Sequence, residues 1–190
     1  MKHKIHSHFK KSIETKEKFL ESQVENLEKA ACKIIQTFKD GGRLFAFGNG
    51  GSASDAQHMV AEFVGRYKKE RKAYPAFSLT ENNATITAIG NDYGYENVFL
   101  RPIQGLVKKG DIIVGFTTSG RSKNVVSAFE YAKKNGIATI AFTGTPGKPI
   151  VDIADISILV PSSDTPFIQE SHICAIHVLC ELVEEGLCNV

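Results

Sequence analysis

The residues best suited to chemistry start in one stretch, Phe47 to Glu62, which reads FGNGGSASDAQHMVAE. His58 and Glu62 are four apart, so on a helix both side chains leave the same face about one turn from each other. They can converge on one metal ion or one substrate, although the same spacing also describes an ordinary exposed helix pair. Further along, Gln169 and His177 add an amide and a second imidazole. Together the four offer nitrogen and oxygen ligands that suit zinc or another divalent metal. His172 competes for the same role and is read as structural, while His3, His6 and His8 fall at the N-terminus by chance.

A second candidate is TTSGRSKN, Thr117 to Asn124, where the hydroxyls of Thr117, Thr118, Ser119 and Ser122 surround a glycine. Such a loop can donate hydroxyl and backbone N–H hydrogen bonds to a phosphate, with a helix dipole behind them. Its lysine and spacing are not those of a P-loop. The same residues also make a plain turn and helix cap. In the first stretch Gly48, Gly50 and Gly51 let the backbone turn sharply beside a ligand. Ser54 with Gln57 matches a capping box and predicts a helix start there, which is an anion site in its own right.

The elements that must hold these residues can be read from periodicity. Residues 1–40 read as two helices: Ile5, Phe9 and Ile13 recur every four, and a second stripe (Val24, Leu27, Ala31, Ile34, Ile35, Phe38) follows a capping-box pair at Ser22 and Glu25. Gly41 and Gly42 stop it. The first stripe has no strand of its own to cover and is expected to pack on another subunit. From Arg43 the pattern changes to short apolar runs: Arg43–Phe47, Ala76–Leu79, Ile112–Thr117, Ala138–Thr143 and Ile156–Val160. Helical stretches separate them, at Asp55–Val64, Ala84–Ile89 with Tyr95–Leu106, Ser122–Asn135, and a short turn after Pro149. The alternation predicts an α/β fold, a five-stranded parallel sheet flanked by helices on both faces, with both candidate loops at the carboxyl end where ligands bind. A last helix starts at Thr165 with Pro166 in its first turn and runs to about Glu185. The whole chain, residues 1–190, reads as one domain with a helical extension over 1–40.

A formal charge of +2 gives no electrostatic case for nucleic acid. The one basic cluster, Arg66 to Lys72, reads as a solvated loop or helix end. No apolar run approaches the roughly 18 residues of a membrane span, and the start lacks a secretory core. Cys32, Cys174, Cys180 and Cys188 show no paired spacing and read as reduced thiols of a soluble, cytoplasmic protein.

FGNGGSASDAQHMVAEFVGR, AIGNDYG, TTSGRSKN and IQESHICAIHVLCELVE stand in an order and spacing that resembles the sugar isomerase (SIS) domain family, in its phosphoheptose isomerase branch. The resemblance implies a flavodoxin-like three-layer sandwich and the ketose–aldose isomerisation of sedoheptulose 7-phosphate, for surface-polysaccharide heptose. It implies that Asn49, Gly50, Gly51 and Ser52 line the sugar site with Asn91 and Asp92 nearby, and that Thr117, Thr118, Ser119 and Ser122 hold the phosphate. By the same resemblance His58, Glu62, Gln169 and His177 bind zinc, Glu62 and His177 are the acid/base pair, Gln169 also touches substrate, and Arg66 belongs to the active site. Thr117 stands where the family usually has serine, Arg121 where it often has asparagine, and Lys123 where it often has proline. The implied assembly is a homotetramer with active sites shared between subunits. Gln169 and His177 are eight apart, about 12 Å in helical rise, so reaching one metal requires an irregular helix or a ligand from a neighbouring chain. Two other readings of the same loops are a non-catalytic SIS scaffold that binds a replication initiator protein and an isomerase of another sugar phosphate.

Overall fold

The computed structural model describes residues 1–188. Five strands, β1 (Leu44–Gly48), β2 (Ala76–Ser78), β3 (Ile112–Thr117), β4 (Ala138–Gly144) and β5 (Ile156–Val160), form one sheet in the order β2-β1-β3-β4-β5. All four pairings are parallel. Strand side chains alternate between two cores. Leu44, Ala46, Ile112, Val114, Phe116, Ile140 and Phe142 face a layer built from α1 (Lys2–Lys39), α2 (Gly51–Val64) and α7 (Thr165–Cys188). Phe45, Phe47, Ile113 and Ala141 face α3 (Asn83–Tyr93), α4 (Leu100–Leu106), α5 (Lys123–Lys134) and α6 (Ile150–Ile153).

This is the expected three-layer sandwich. The strand order puts the topological switch point between β1 and β3, because β1 leads into α2 on one face and β3 into α5 on the other. The loops after these two strands therefore diverge and open a crevice at the carboxyl edge of the sheet.

Two helix starts differ from the sequence expectation. The N-terminal segment is one unbroken helix, not two. No glycine or proline interrupts it, and the Ser22 hydroxyl, instead of capping a new helix, donates back to the Lys18 carbonyl at 2.9 Å. Likewise α2 begins at Gly51, three residues before Ser54. Gly50, at φ 56°, turns the chain directly from β1 into the helix, and Gln57 is spent on Thr80, 3.0 Å from its hydroxyl.

The amino edge of the sheet is closed by an ion pair whose carboxylate is buried. Asp111 accepts from the backbone N–H groups of Arg43 and Lys108, both at 2.9 Å, and from the Arg43 guanidinium at 2.7 Å. Burial alone would raise the Asp111 carboxyl, but the Arg43 side chain and the two N–H groups outweigh it and hold it below the usual carboxylate range. An unfolded aspartate titrates near about 3.9. The stabilisation is therefore complete above that pH and is lost as pH falls through the lower folded value. Asp111→Asn is expected to cost about 1.5–3 kcal/mol at neutral pH, the scale of a hydrogen bond to a charged group. The gap from wild type should narrow in unfolding titrations below about pH 4. A gap that stays constant across that range would show that the carboxylate charge is not what closes this edge.

Candidate active site

At the switch point the first glycine turn and the hydroxyl loop meet. Asn49 and Asn124 exchange two amide hydrogen bonds of 2.9 and 2.8 Å, and the Tyr95 hydroxyl donates to Asn49 Oδ1 at 3.1 Å. Thr117 and Ser122 hydroxyls lie 3.0 Å apart, and Ser119 Oγ accepts from the Arg121 N–H at 3.3 Å. Ser122 precedes α5 without capping it by its side chain, so its hydroxyl faces Thr117 and the cleft. Thr118 is half-buried beside them. Asn49, Tyr95, Glu96, Ser122, Lys123 and Asn124 line a cleft of about 320 Å³. Hydroxyls at the start of a helix, with the exposed cations Arg121 and Lys123 beside them, suit an anionic group.

On the α2 side, Ser52 is buried, and Gly51 lets the Gln169 side chain close in: a Cβ there would lie 2.2 Å from its amide, which would have to move aside. Asn91 and Asp92 are exposed on the last turn of α3 and bond each other at 2.8 Å. Tyr95 and Asn124 were not singled out from sequence. Asn124 sits inside a quoted motif, but its partner Asn49 is brought to it only by the pairing of β1 with β3.

The second cluster lies further along α2. His58 Nε2 is 3.0 Å from His177 Nε2 and 3.3 Å from Glu62 Oε1, and the ligand atoms of the three lie within 4.8 Å of one another. All three are half-buried. Helices α2 and α7 run in the same direction, so their polar residues meet rung by rung: Gly51 with Gln169, Asp55 with His172, His58 with His177. His172 is fully buried between Phe116 and Phe142. Its Nδ1 lies 3.8 Å from Asp55 Oδ2, and neither atom has a hydrogen-bond partner among the described residues. The structural reading of His172 agrees with this burial.

One chain therefore assembles three of the four expected metal ligands. Helix α7 is regular through Gln169 and His177, so Gln169 stays two turns away against Gly51. Arg66 is likewise apart: it is exposed and pairs with Glu70 at 3.7 Å. The trio also stands off from the hydroxyl loop, since His58 follows Gly51 by seven residues, about 10 Å along the helix.

The trio suits a divalent ion. Ligands about 2.0–2.1 Å from a tetrahedral zinc are about 3.3 Å apart, close to the His58–His177 and His58–Glu62 separations. A carboxylate and an imidazole at this spacing can also exchange protons with a bound substrate.

Residues 7–144 match the SIS domain family. Over 189 residues the chain is 47% identical to the phosphoheptose isomerase of Aquifex aeolicus, covering 100% of this chain and 99% of that one. It is 44% identical to the phosphoheptose isomerase of Thermodesulfovibrio yellowstonii over 187 residues, 98% of this chain and 93% of that one. Among solved structures, the phosphoheptose isomerase of Neisseria gonorrhoeae superposes with a TM-score of 0.92 at 37% identity, covering 97% of this chain and 98% of that one. That of Francisella tularensis gives 0.93 at 34%, covering 96% and 97%. At these identities over nearly the full length of both chains, the chain belongs to the SIS domain family and, within it, to the phosphoheptose isomerases.

Proposed function

We propose that the chain interconverts sedoheptulose 7-phosphate and D-glycero-D-manno-heptose 7-phosphate through an enediol. The observation that carries this reading is the convergence of His58, Glu62 and His177 within one chain. Turning the ketose into the aldose requires one proton to leave C1, one to arrive at C2, and the proton on oxygen to change sides. Glu62 is the carboxylate that takes and returns the carbon proton, and His177 is the partner acid at the oxygens. His58, Glu62 and His177 would hold zinc, with Gln169 completing the set only from a neighbouring chain; when bound, the metal would polarise the substrate carbonyl and stabilise the charge of the enediolate.

Thr117, Thr118, Ser119 and Ser122 hold the phosphate at the start of α5, and Asn49, Gly50, Gly51 and Ser52 line the sugar, with Asn91 and Asp92 at its margin; Arg66, beyond the far end of α2, would enter a site only through a neighbouring chain. Ser119→Ala and Ser122→Ala are each expected to raise KM about 10- to 150-fold while keeping kcat, because each removes a hydrogen bond to a charged acceptor worth about 1.5–3 kcal/mol. Unchanged saturation curves in both variants would place the phosphate elsewhere.

The working form in this reading is a cytoplasmic homotetramer of one-domain chains whose sites are shared. Three features support sharing: the two halves of the site stand about 10 Å apart along α2, Gln169 is two turns from His177, and α1 exposes Ile5, Phe9, Ile13, Leu20 and Val24 to solvent. An exposed apolar stripe of this length invites a partner. Among the described residues no helix is long and apolar enough to cross a membrane. The deciding assay is incubation with sedoheptulose 7-phosphate and added zinc, followed by detection of the aldoheptose 7-phosphate. No product under those conditions would favour a non-catalytic scaffold.

A further inference from the structure

The basic stretch Arg66 to Lys72, expected from composition to be solvated, contains a buried ion pair. Arg71 Nε lies 3.1 Å from Glu184 Oε1, and the two side chains are 6% and 2% exposed. Glu184 also accepts from the backbone N–H groups of Tyr67, Lys68 and Lys69 at 3.2, 2.8 and 2.7 Å. Burial alone would raise its carboxyl, but these N–H groups and Arg71 hold it below the usual range, so it stays ionised. Arg71 in turn donates to the carbonyls of Glu62 at 2.8 Å and Phe63 at 2.9 Å. Those carbonyls belong to the last turn of α2, where the helix supplies no partner. One ion pair thus ties together the end of α2, the loop after it and α7.

Two groups of the candidate site hang from this knot. Glu62 is gripped by its own carbonyl. Tyr67, whose N–H is fixed on Glu184, places its ring 5.8 Å from the His177 ring at an interplanar angle of 30°. The Lys68 ammonium lies 5.2 Å from the centre of the Tyr67 ring.

We propose that the Arg71–Glu184 pair is a positioning device for the catalytic trio and that it acts through Tyr67, whose ring braces the His177 imidazole. The inference rests on the isomerase reading of the trio. Without the brace the imidazole can rotate, and its Nε2 leaves the 3.0 Å contact with His58. Small displacements of this kind are costly where reacting groups must be held in line.

The test uses full-length Tyr67→Ala, Tyr67→Phe and Glu184→Gln. Three quantities are read: kcat and KM for sedoheptulose 7-phosphate, cobalt(II) affinity by absorption titration without substrate, and the thermal midpoint. Tyr67→Ala is expected to lower kcat about 10- to 100-fold with KM within about twofold. It should weaken cobalt by about tenfold or more, the scale for groups that orient metal ligands. Its thermal midpoint should fall less than that of Glu184→Gln, because Tyr67, though packed against the core, is only half-buried and carries no buried charge. Tyr67→Phe, which keeps the ring, should recover most of both losses. Glu184→Gln should lose kcat similarly and also melt earlier, and adding Tyr67→Ala to it should cost little more.

Wild-type kcat and cobalt affinity in Tyr67→Ala would overturn the proposal. So would losses that multiply in the double variant, since the pair would then act by another route. Should Glu184→Gln fail to fold, the two Tyr67 variants still decide. If the wild-type chain turns over no sedoheptulose 7-phosphate, the functional reading fails, while cobalt affinity in the same variants still tests the brace.

Discussion

Glu62→Gln yields a folded protein whose turnover of sedoheptulose 7-phosphate is about 10²- to 10⁴-fold below wild type, the contribution expected of a positioned general base. The substitution keeps volume and leaves the hydrogen bond from Arg71 to the Glu62 carbonyl untouched, so the helix end remains gripped. What it removes is the charge beside His58 and the group that accepts the carbon proton. The loss corresponds to about 3–5 kcal/mol in the barrier. It should fall on kcat with little change in KM, because the hydroxyl loop lies apart from the trio. Stopped assays at saturating substrate, with circular dichroism to verify folding, provide the measurement. Retention of more than about a tenth of wild-type turnover would remove Glu62 as the base.

Mixing two crippled variants should restore activity if sites are shared. Variants at Glu62 and His177 are the wrong pair, because both residues come from one chain's trio and every mixed site would still lack one of them. That mixture serves as the negative control. The informative mixture combines Glu62→Gln with the double variant Ser119→Ala/Ser122→Ala, which damages the trio in one chain and the phosphate loop in the other. After subunit exchange, about a quarter of the sites in an equal mixture receive an intact trio from one chain and an intact loop from its neighbour, by random assortment in a symmetric oligomer. At subsaturating substrate, turnover should rise from the percent level to about that fraction. No recovery after exchange has been demonstrated by labelled subunits, or a monomer by light scattering, would return the whole site to one chain.

The strands, most helices and the two loops are legible in the amino-acid sequence, because each depends on residues close together in the chain. Short apolar runs and glycine turns mark β1, β3 and β4 to within a residue, and Pro166 marks the start of α7. His58 and Glu62 were legible as a pair because one turn of helix sets their separation. A local signal misleads where a stronger one overrides it. Ser22 and Ser54 look like caps, yet each lies inside a helix, since no glycine or proline breaks the chain at the first and Gly50 makes the turn earlier at the second. Arg71 reads as one more solvated cation in a basic run, and only Glu184, 113 positions away, buries it.

Tertiary structure alone decided which polar groups meet. His177 reaches His58 across 119 positions because α2 and α7 pack side by side on one face of the sheet. The same parallel packing carries Gln169 to Gly51 and away from the trio, and the β1–β3 pairing brings Asn49 to Asn124. Helical periodicity and turn chemistry act over a few residues. Convergence of a site depends on how buried apolar faces dock, and that is a property of the assembled layers.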